Sequence, residues 1–166
     1  MIVAQNVIKQ FFISKFSYLG AGFYSCVFES TNKDIVYKVG RTLQDPFLNY
    51  IKEFSGKNKH SPVIHKLYED KENNWYFAVM ERLQKHNRFD IRNMSNYEDS
   101  LVSLVNQLTS IAKKEGYALD LHSENVMQRS NTVVVTDPFS GSYSGLEDEE
   151  GTDCWVDSFF AEMNEQ

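Results

Sequence analysis

Apolar positions along this chain follow two different periods, and the switches between them divide it into elements. Val3, Val7, Ile8, Phe11 and Phe12 fall on one helical face and predict a short opening helix. Residues 16–40 change to short apolar runs punctuated by turn residues. Phe16 to Leu19, Cys26 to Glu29 and Ile35 to Val39 predict three strands, joined by a glycine turn and by Thr31-Asn32-Lys33-Asp34. Asp45-Pro46 then reads as an N-cap followed by proline in a first helical turn. Behind it Phe47, Leu48, Ile51 and Phe54 form a helical face that ends at Gly56.

His65 to Tyr68 and Trp75 to Met80 bracket the polar run from Glu69 to Asn74, a hairpin pattern. Ser95 and Glu98 have capping-box spacing. Leu101, Leu104, Val105, Leu108, Ile111 and Ala112 then mark an amphipathic helix running to about Gly116. Asn125 to Gln128 and Val133 to Thr136 predict a short hairpin, and a last piece from Glu147 to Gln166 closes with a short helix around Trp155 to Met163. The order is sheet, one inserted helix, more sheet, a long helix, then a short hairpin. At 166 residues this is one α+β domain, or two small lobes.

Composition narrows the function. Apolar residues make up 42% and aromatics 14%, enough for a packed core. A net charge of −6 argues against nucleic-acid binding, which normally needs a basic face. Cys26 and Cys154 are too few for a disulfide framework, no signal peptide is legible from Met1 to Phe12, and no apolar run approaches a membrane span. The expectation is a cytoplasmic protein without membrane or nucleic-acid partners.

The chemistry concentrates in two segments, Asp120-Leu121-His122-Ser123-Glu124-Asn125 and Thr136-Asp137-Pro138-Phe139. An aspartate, an asparagine five positions on and an aspartate closing an apolar run can build a phosphoryl-transfer site. Asp120 would accept a hydrogen bond from the attacking hydroxyl and orient it. Asn125 and Asp137 offer the hard oxygens that magnesium favours. His122 either contacts the transferring phosphate or is a hydrogen-bonded structural histidine. The plainer reading of the whole pair is an Asx-rich turn and a loop aspartate.

Upstream features fit the same chemistry, each with a bland alternative. Gly20 and Gly22, before Val27, would let backbone amides approach phosphate oxygens, with Val27 over the adenine. A hairpin turn needing positive φ would use the same glycines. Lys38 in Val36-Tyr37-Lys38-Val39 could pair with phosphates, braced by Glu53 on the following helix; an edge-strand lysine in water is the alternative. The strand from Trp75 would end in a hinge where backbone groups of Glu81 to Leu83 bond the base, though any central strand looks similar.

Taken in order across about residues 16–140, these positions resemble the protein-kinase-like superfamily. Leu119 to Met127 with Val135-Thr136-Asp137-Pro138 resembles more closely the early serine/threonine protein kinases of lytic short-tailed bacteriophages (the T-seven-like, or autographivirus, group). The resemblance implies an antiparallel-sheet N-lobe with one helix over about 14–83, and a truncated, mainly helical C-lobe over about 84–166. It also implies ATP, magnesium, and phosphorylation of host bacterial proteins or of the chain itself, for which Ser140, Ser142, Tyr143, Ser144 and Thr152 are available. Three departures stand out. Ala118-Leu119 replaces the usual His-Arg, His122 stands where protein kinases have lysine, and Pro138-Phe139 follows Asp137. Small-molecule phosphotransferases often carry histidine at the position of His122, which makes such an activity one alternative. A non-catalytic kinase-like protein that inhibits a host factor through the acidic run Glu147-Asp148-Glu149-Glu150 is another.

Overall fold

The computed structural model describes residues 15–141, apart from 23, 43–44, 73 and 87. The predicted opening helix, the closing helix, the acidic run and Ser142, Tyr143, Ser144, Thr152 and Cys154 lie outside the described residues. The chain divides into two units. The first takes the described residues of Met1–Asp45 with His65–Arg82, and the second takes Pro46–Ile64 with the described residues of Leu83–Ser144.

The first unit is a five-stranded sheet of β1 (Tyr18–Ala21), β2 (Ser25–Glu29), β3 (Ile35–Gly40), β4 (Ile64–Asp70) and β5 (Trp75–Glu81). Its order is β1-β2-β3-β5-β4, so β3 lies at the centre. The β1–β2, β2–β3 and β3–β5 pairs are antiparallel. Opposed residues share a face of the sheet. Val36 faces Met80 and Lys38 faces Ala78, all buried, so this face belongs to the core. At the end of β3, Gly40 sits opposite Tyr76, and a Cβ there would come within 2.6 Å of the tyrosine ring. The absent side chain is what lets the wholly buried Tyr76 lie flat against the strand.

Tyr76 also decides the fate of Asp45. The expected N-cap does not form: Pro46 occupies the cap position with helical φ −64° and ψ −14°, and no side chain caps the helix. The Asp45 carboxylate instead accepts the hydrogen bond from the Tyr76 hydroxyl. A buried phenol O–H left unpaired costs about 1–3 kcal/mol, more than a cap usually contributes at an end that already has proline.

The second unit mixes helix and strand where the resemblance implies a mainly helical lobe. It contains α1 (Phe47–Phe54), a 3-10 helix (Ile91–Asn96) and α2 (Asp99–Glu115). Its strands are β6 (Gln84–Lys85), β7 (Ala118–Leu119), β8 (Val126–Arg129), β9 (Thr132–Val135) and β10 (Phe139–Ser140), arranged as β6-β8-β9 and β10-β7. Helix α2 buries Leu101, Leu104, Val105, Leu108 and Ala112, as its periodicity predicts. It stops at Gly116, whose φ of 76° is a left-handed conformation that glycine adopts without strain. The predicted capping box is absent. Ser95 lies inside the 3-10 helix, and Glu98 is itself the cap residue, with its carboxylate paired to Lys59 and 3.2 Å from His60 Nε2.

The segment carrying α1, which sequence reasoning groups with the sheet, is stitched to β9. Tyr50 donates its hydroxyl to the Val135 carbonyl at 2.7 Å, and the Val135 amide donates to the His60 carbonyl at 2.8 Å. His60, with no exposed surface, bonds the Val133 carbonyl through Nδ1 and the Ser100 hydroxyl through Nε2. Arg129 adds bonds to the carbonyls of Lys59 and Ser61. These ties cross 40 to 85 residues of sequence, and no local pattern encodes them. Among the described residues, no helix is long and apolar enough to cross a membrane.

Candidate functional site

In the first unit the expected nucleotide residues form one cross-strand row. Gly20 on β1 pairs with Val27 on β2, Val27 with Lys38 on β3, and Lys38 with Ala78 on β5. Lys38 is 5% exposed and sits in the middle strand, so the reading of an edge-strand lysine in water does not hold. Neither Gly20 nor Gly22 has positive φ, and the Gly22 amide donates to the Ser25 carbonyl at 2.9 Å across the turn. A hairpin demanding left-handed glycines is therefore not the reason for these residues. A Cβ at either would meet nothing within 4 Å, so both face open space. Glu81 ends β5 half-buried, and Leu83, also half-buried, precedes β6.

In the second unit the three polar residues of the acidic motifs come together through short-range geometry. Strands β7 and β10 pair Leu119 with Phe139, which sets the residues just beyond them side by side. The Asp120 amide donates to the Pro138 carbonyl at 2.8 Å, beside Asp137. In the hairpin, β8 pairs Val126 with Val135, which sets Asn125 beside Thr136. The Asn125 carbonyl accepts twice, from the Thr136 amide at 2.8 Å and the Thr136 hydroxyl at 2.9 Å. Asp137 is thus held from both sides, by Thr136 on Asn125 and by Pro138 on Asp120.

The Asn125 side chain closes the arrangement. Its Nδ2 lies 3.0 Å from the Asp120 carbonyl and 3.1 Å from Asp120 Oδ2. Two oxygen acceptors require the amide nitrogen at that position, which turns Oδ1 the other way. Asn125 Oδ1 and the Asp137 carboxylate are hard donors that fit magnesium, whose remaining positions are commonly taken by phosphate and water. Among the described residues no group of three or more histidine, cysteine, aspartate and glutamate side chains is arranged to hold a metal.

Three neighbours, Tyr50, Phe139 and His122, complete the surroundings. Tyr50 lies within electrostatic reach of Asp137, and burial pushes its phenol well above the ordinary value, with the Asp137 charge adding to the shift. The hydroxyl therefore stays protonated and remains a donor to Val135. Phe139, buried on β10, packs edge-on against Tyr50 at 6.4 Å and tilted by 40° against Tyr117 at 5.4 Å. His122, half exposed, places Nδ1 3.2 Å from the Glu124 amide and Nε2 3.4 Å from Asp120 Oδ1.

Glu53 has a different setting from the rest. It is exposed on α1 and lines an open groove of about 610 Å³ with Asp99, Val102, Ser103, Ser110 and other residues of α2, and Lys114 is within electrostatic reach. Sequence reasoning assigned no role to Thr136 or Tyr50. The only local signal for Thr136 is a hydroxyl directly before Asp137, and Tyr50 reads as one more apolar-face residue.

No family model matches the chain, and no curated protein does. Among solved structures 82 chains match. One is the Legionella pneumophila Lpg2603 kinase bound to IP6, with TM-score 0.45 and 16% identity over 81% of this chain and 53% of that one. Another is PpkA-294 in its apo form, with TM-score 0.38 and 15% identity over 73% of this chain and 56% of that one. The chain thus spans about half the length of each of these structures, and it is similar to them at low identity.

Proposed function

We propose that this chain transfers the γ-phosphoryl group of ATP, with magnesium, to serine or threonine hydroxyls of protein. The observation that carries the reading is the hydrogen-bonded set Asp120, Asn125, Thr136 and Pro138, which ties the two acidic segments together on either side of Asp137. A turn with no chemical task would not need both acidic residues tethered by their neighbours' backbone. Lys38 and the glycine turn, whose Gly20 and Gly22 leave open space for phosphate oxygens, serve the phosphates, Val27 covers the adenine, and backbone groups of Glu81 and Leu83 bond its edge. Magnesium, carried by Asp137 and Asn125, supplies neutralisation of phosphate charge. Asp120 orients the acceptor hydroxyl and takes its proton as oxygen bonds to the γ-phosphorus and the bond to ADP breaks. The protein's share of the work is positioning and charge. The resemblance to phage kinases makes host bacterial proteins, or the chain itself, the expected acceptors.

His122 favours a second reading, transfer to a small molecule, because a histidine stands where protein kinases have lysine. One experiment separates the two: incubation with γ-labelled ATP and magnesium, with and without bacterial lysate. Label on this chain or on lysate proteins supports the protein-kinase reading. ATP consumed with label only on metabolites supports the second, and no transfer to anything sinks both.

A further inference from the structure

Tyr50 touches the segment around Asp137 at both of its ends. Its hydroxyl donates to the Val135 carbonyl at 2.7 Å, two residues before Asp137. Its ring meets Phe139 edge-on at 6.4 Å, two residues after Asp137. Strand β9 is an outer strand of the β6-β8-β9 sheet, and the segment carrying α1 bonds both backbone groups of Val135 there. The His60 carbonyl accepts the amide, and Tyr50 donates to the carbonyl. A plain core position against Phe54 and Phe139 would be filled as well by phenylalanine. Burying a hydroxyl costs free energy unless it is bonded, so a phenol only 1% exposed points to the bond it makes. The other ties beside Asp137, Thr136 on Asn125 and Asp120 on Pro138, stay within the two acidic motifs. Tyr50 is what anchors the segment to a helix.

We propose that Tyr50 is a positioning residue for Asp137, a clamp that grips Val135 by its hydroxyl and Phe139 by its ring and so fixes the backbone from which the carboxylate projects. Two grips on opposite sides of one residue restrict rotation of the backbone between them, where a single grip leaves a hinge. The clamp itself stands on geometry alone. Its consequence, an Asp137 oriented for magnesium, rests on the phosphotransfer reading. Partners that orient a metal ligand from outside commonly govern metal affinity by about 10–100-fold.

The test uses Tyr50→Phe and Tyr50→Leu in the full chain, with Val105→Ala on α2 as a destabilised comparison outside the clamp. Calorimetry measures ATP affinity with magnesium and with a chelator. Tyr50→Phe should lower the affinity in magnesium by about tenfold and leave the metal-free affinity within about twofold. Tyr50→Leu, which also removes the ring, should lower it further, and Val105→Ala should leave the ratio of the two affinities unchanged. A ratio unchanged in Tyr50→Phe, or one that falls equally in Val105→Ala, would reduce Tyr50 to core packing and overturn the proposal. Amide hydrogen exchange gives a readout that needs no nucleotide. In Tyr50→Phe the amides of Thr136 and Asp120, bonded on either side of Asp137, should exchange about tenfold faster, and those of Leu104 and Leu108 on α2 should change less. Equal acceleration in both sets, or none in either, overturns the clamp. Selective acceleration in a chain that binds no magnesium–ATP supports the clamp and counts against the phosphotransfer reading.

Discussion

The hydroxyl of Thr136 and its own amide both donate to the carbonyl of Asn125, at 2.9 and 2.8 Å. This double bond to one oxygen couples the two motifs of the site, because Asn125 ends the loop that starts at Asp120 and Thr136 immediately precedes Asp137. The stiffness of the site therefore resides in a residue without chemistry of its own.

Replacing that hydroxyl tests the coupling. Thr136→Val keeps the backbone bond and the shape but loses one donor, so stability should fall by about 1 kcal/mol. Affinity for magnesium–ATP should fall by about tenfold, as it does when outer-shell partners of metal ligands are removed. Asp137→Ala, which removes the donor itself, should weaken the same affinity further. Calorimetric titration with magnesium–ATP reads both, and equal affinities in all three proteins would refute the coupling.

Asp120→Asn should leave ATP binding near normal and cut turnover by about two or more orders of magnitude. The amide keeps the size of the side chain but loses the charge and the capacity to take a proton. Phosphate transfer at saturating ATP, set beside a binding isotherm, separates the two effects. A variant with full turnover would remove Asp120 from the mechanism.

Gly40→Ala should destabilise the first unit by about 1–3 kcal/mol through overpacking. The new methyl would meet the ring of Tyr76 at 2.6 Å, and that ring is held in place by the bond of its hydroxyl to Asp45. Urea denaturation measures the cost. An unchanged midpoint would mean that the ring moves aside without resistance.

Acid should reveal the local structure at the start of the 3-10 helix. Arg92, bonding the Asp90 carboxylate through side chain and backbone with help from Asn93, holds its pKa down to about 2 from 3.8. A lowered folded value means the contribution is complete above the ordinary pKa and is lost as pH falls through about 2. The stability gap between the native chain and Asp90→Asn should therefore be constant from neutral pH to about 5, shrink below about 4 and close only near pH 2. A gap that keeps its size in strong acid would show that the carboxylate charge plays no part.

Legibility in the sequence varied with the range of the interaction concerned. Strands β1 to β5, β8 and β9 and helices α1 and α2 announced themselves because burial of one face imposes a period on neighbouring residues, as in Leu101, Leu104, Val105 and Leu108 of α2; the two-residue strands β6, β7 and β10 and the 3-10 helix are too short to show one. Helix starts were read less well. Asp45 and Glu98 had the right chemistry for caps, but Tyr76, Lys59 and His60, remote in sequence, claimed their carboxylates.

What the chain determined by itself was its alternation of strand and helix, since the spacing of buried positions suffices for that, and which polar residues are candidates for a phosphate and magnesium site. Only the tertiary structure decided that Lys38 is buried in a central strand, that the segment around Tyr50 and His60 is bound to β9, and that Thr136 clasps Asn125. Those outcomes depend on hydrogen bonds between residues far apart along the chain or on separate strands. Such bonds form only when packing brings the partners within about 3 Å, a condition that no local pattern of residues carries.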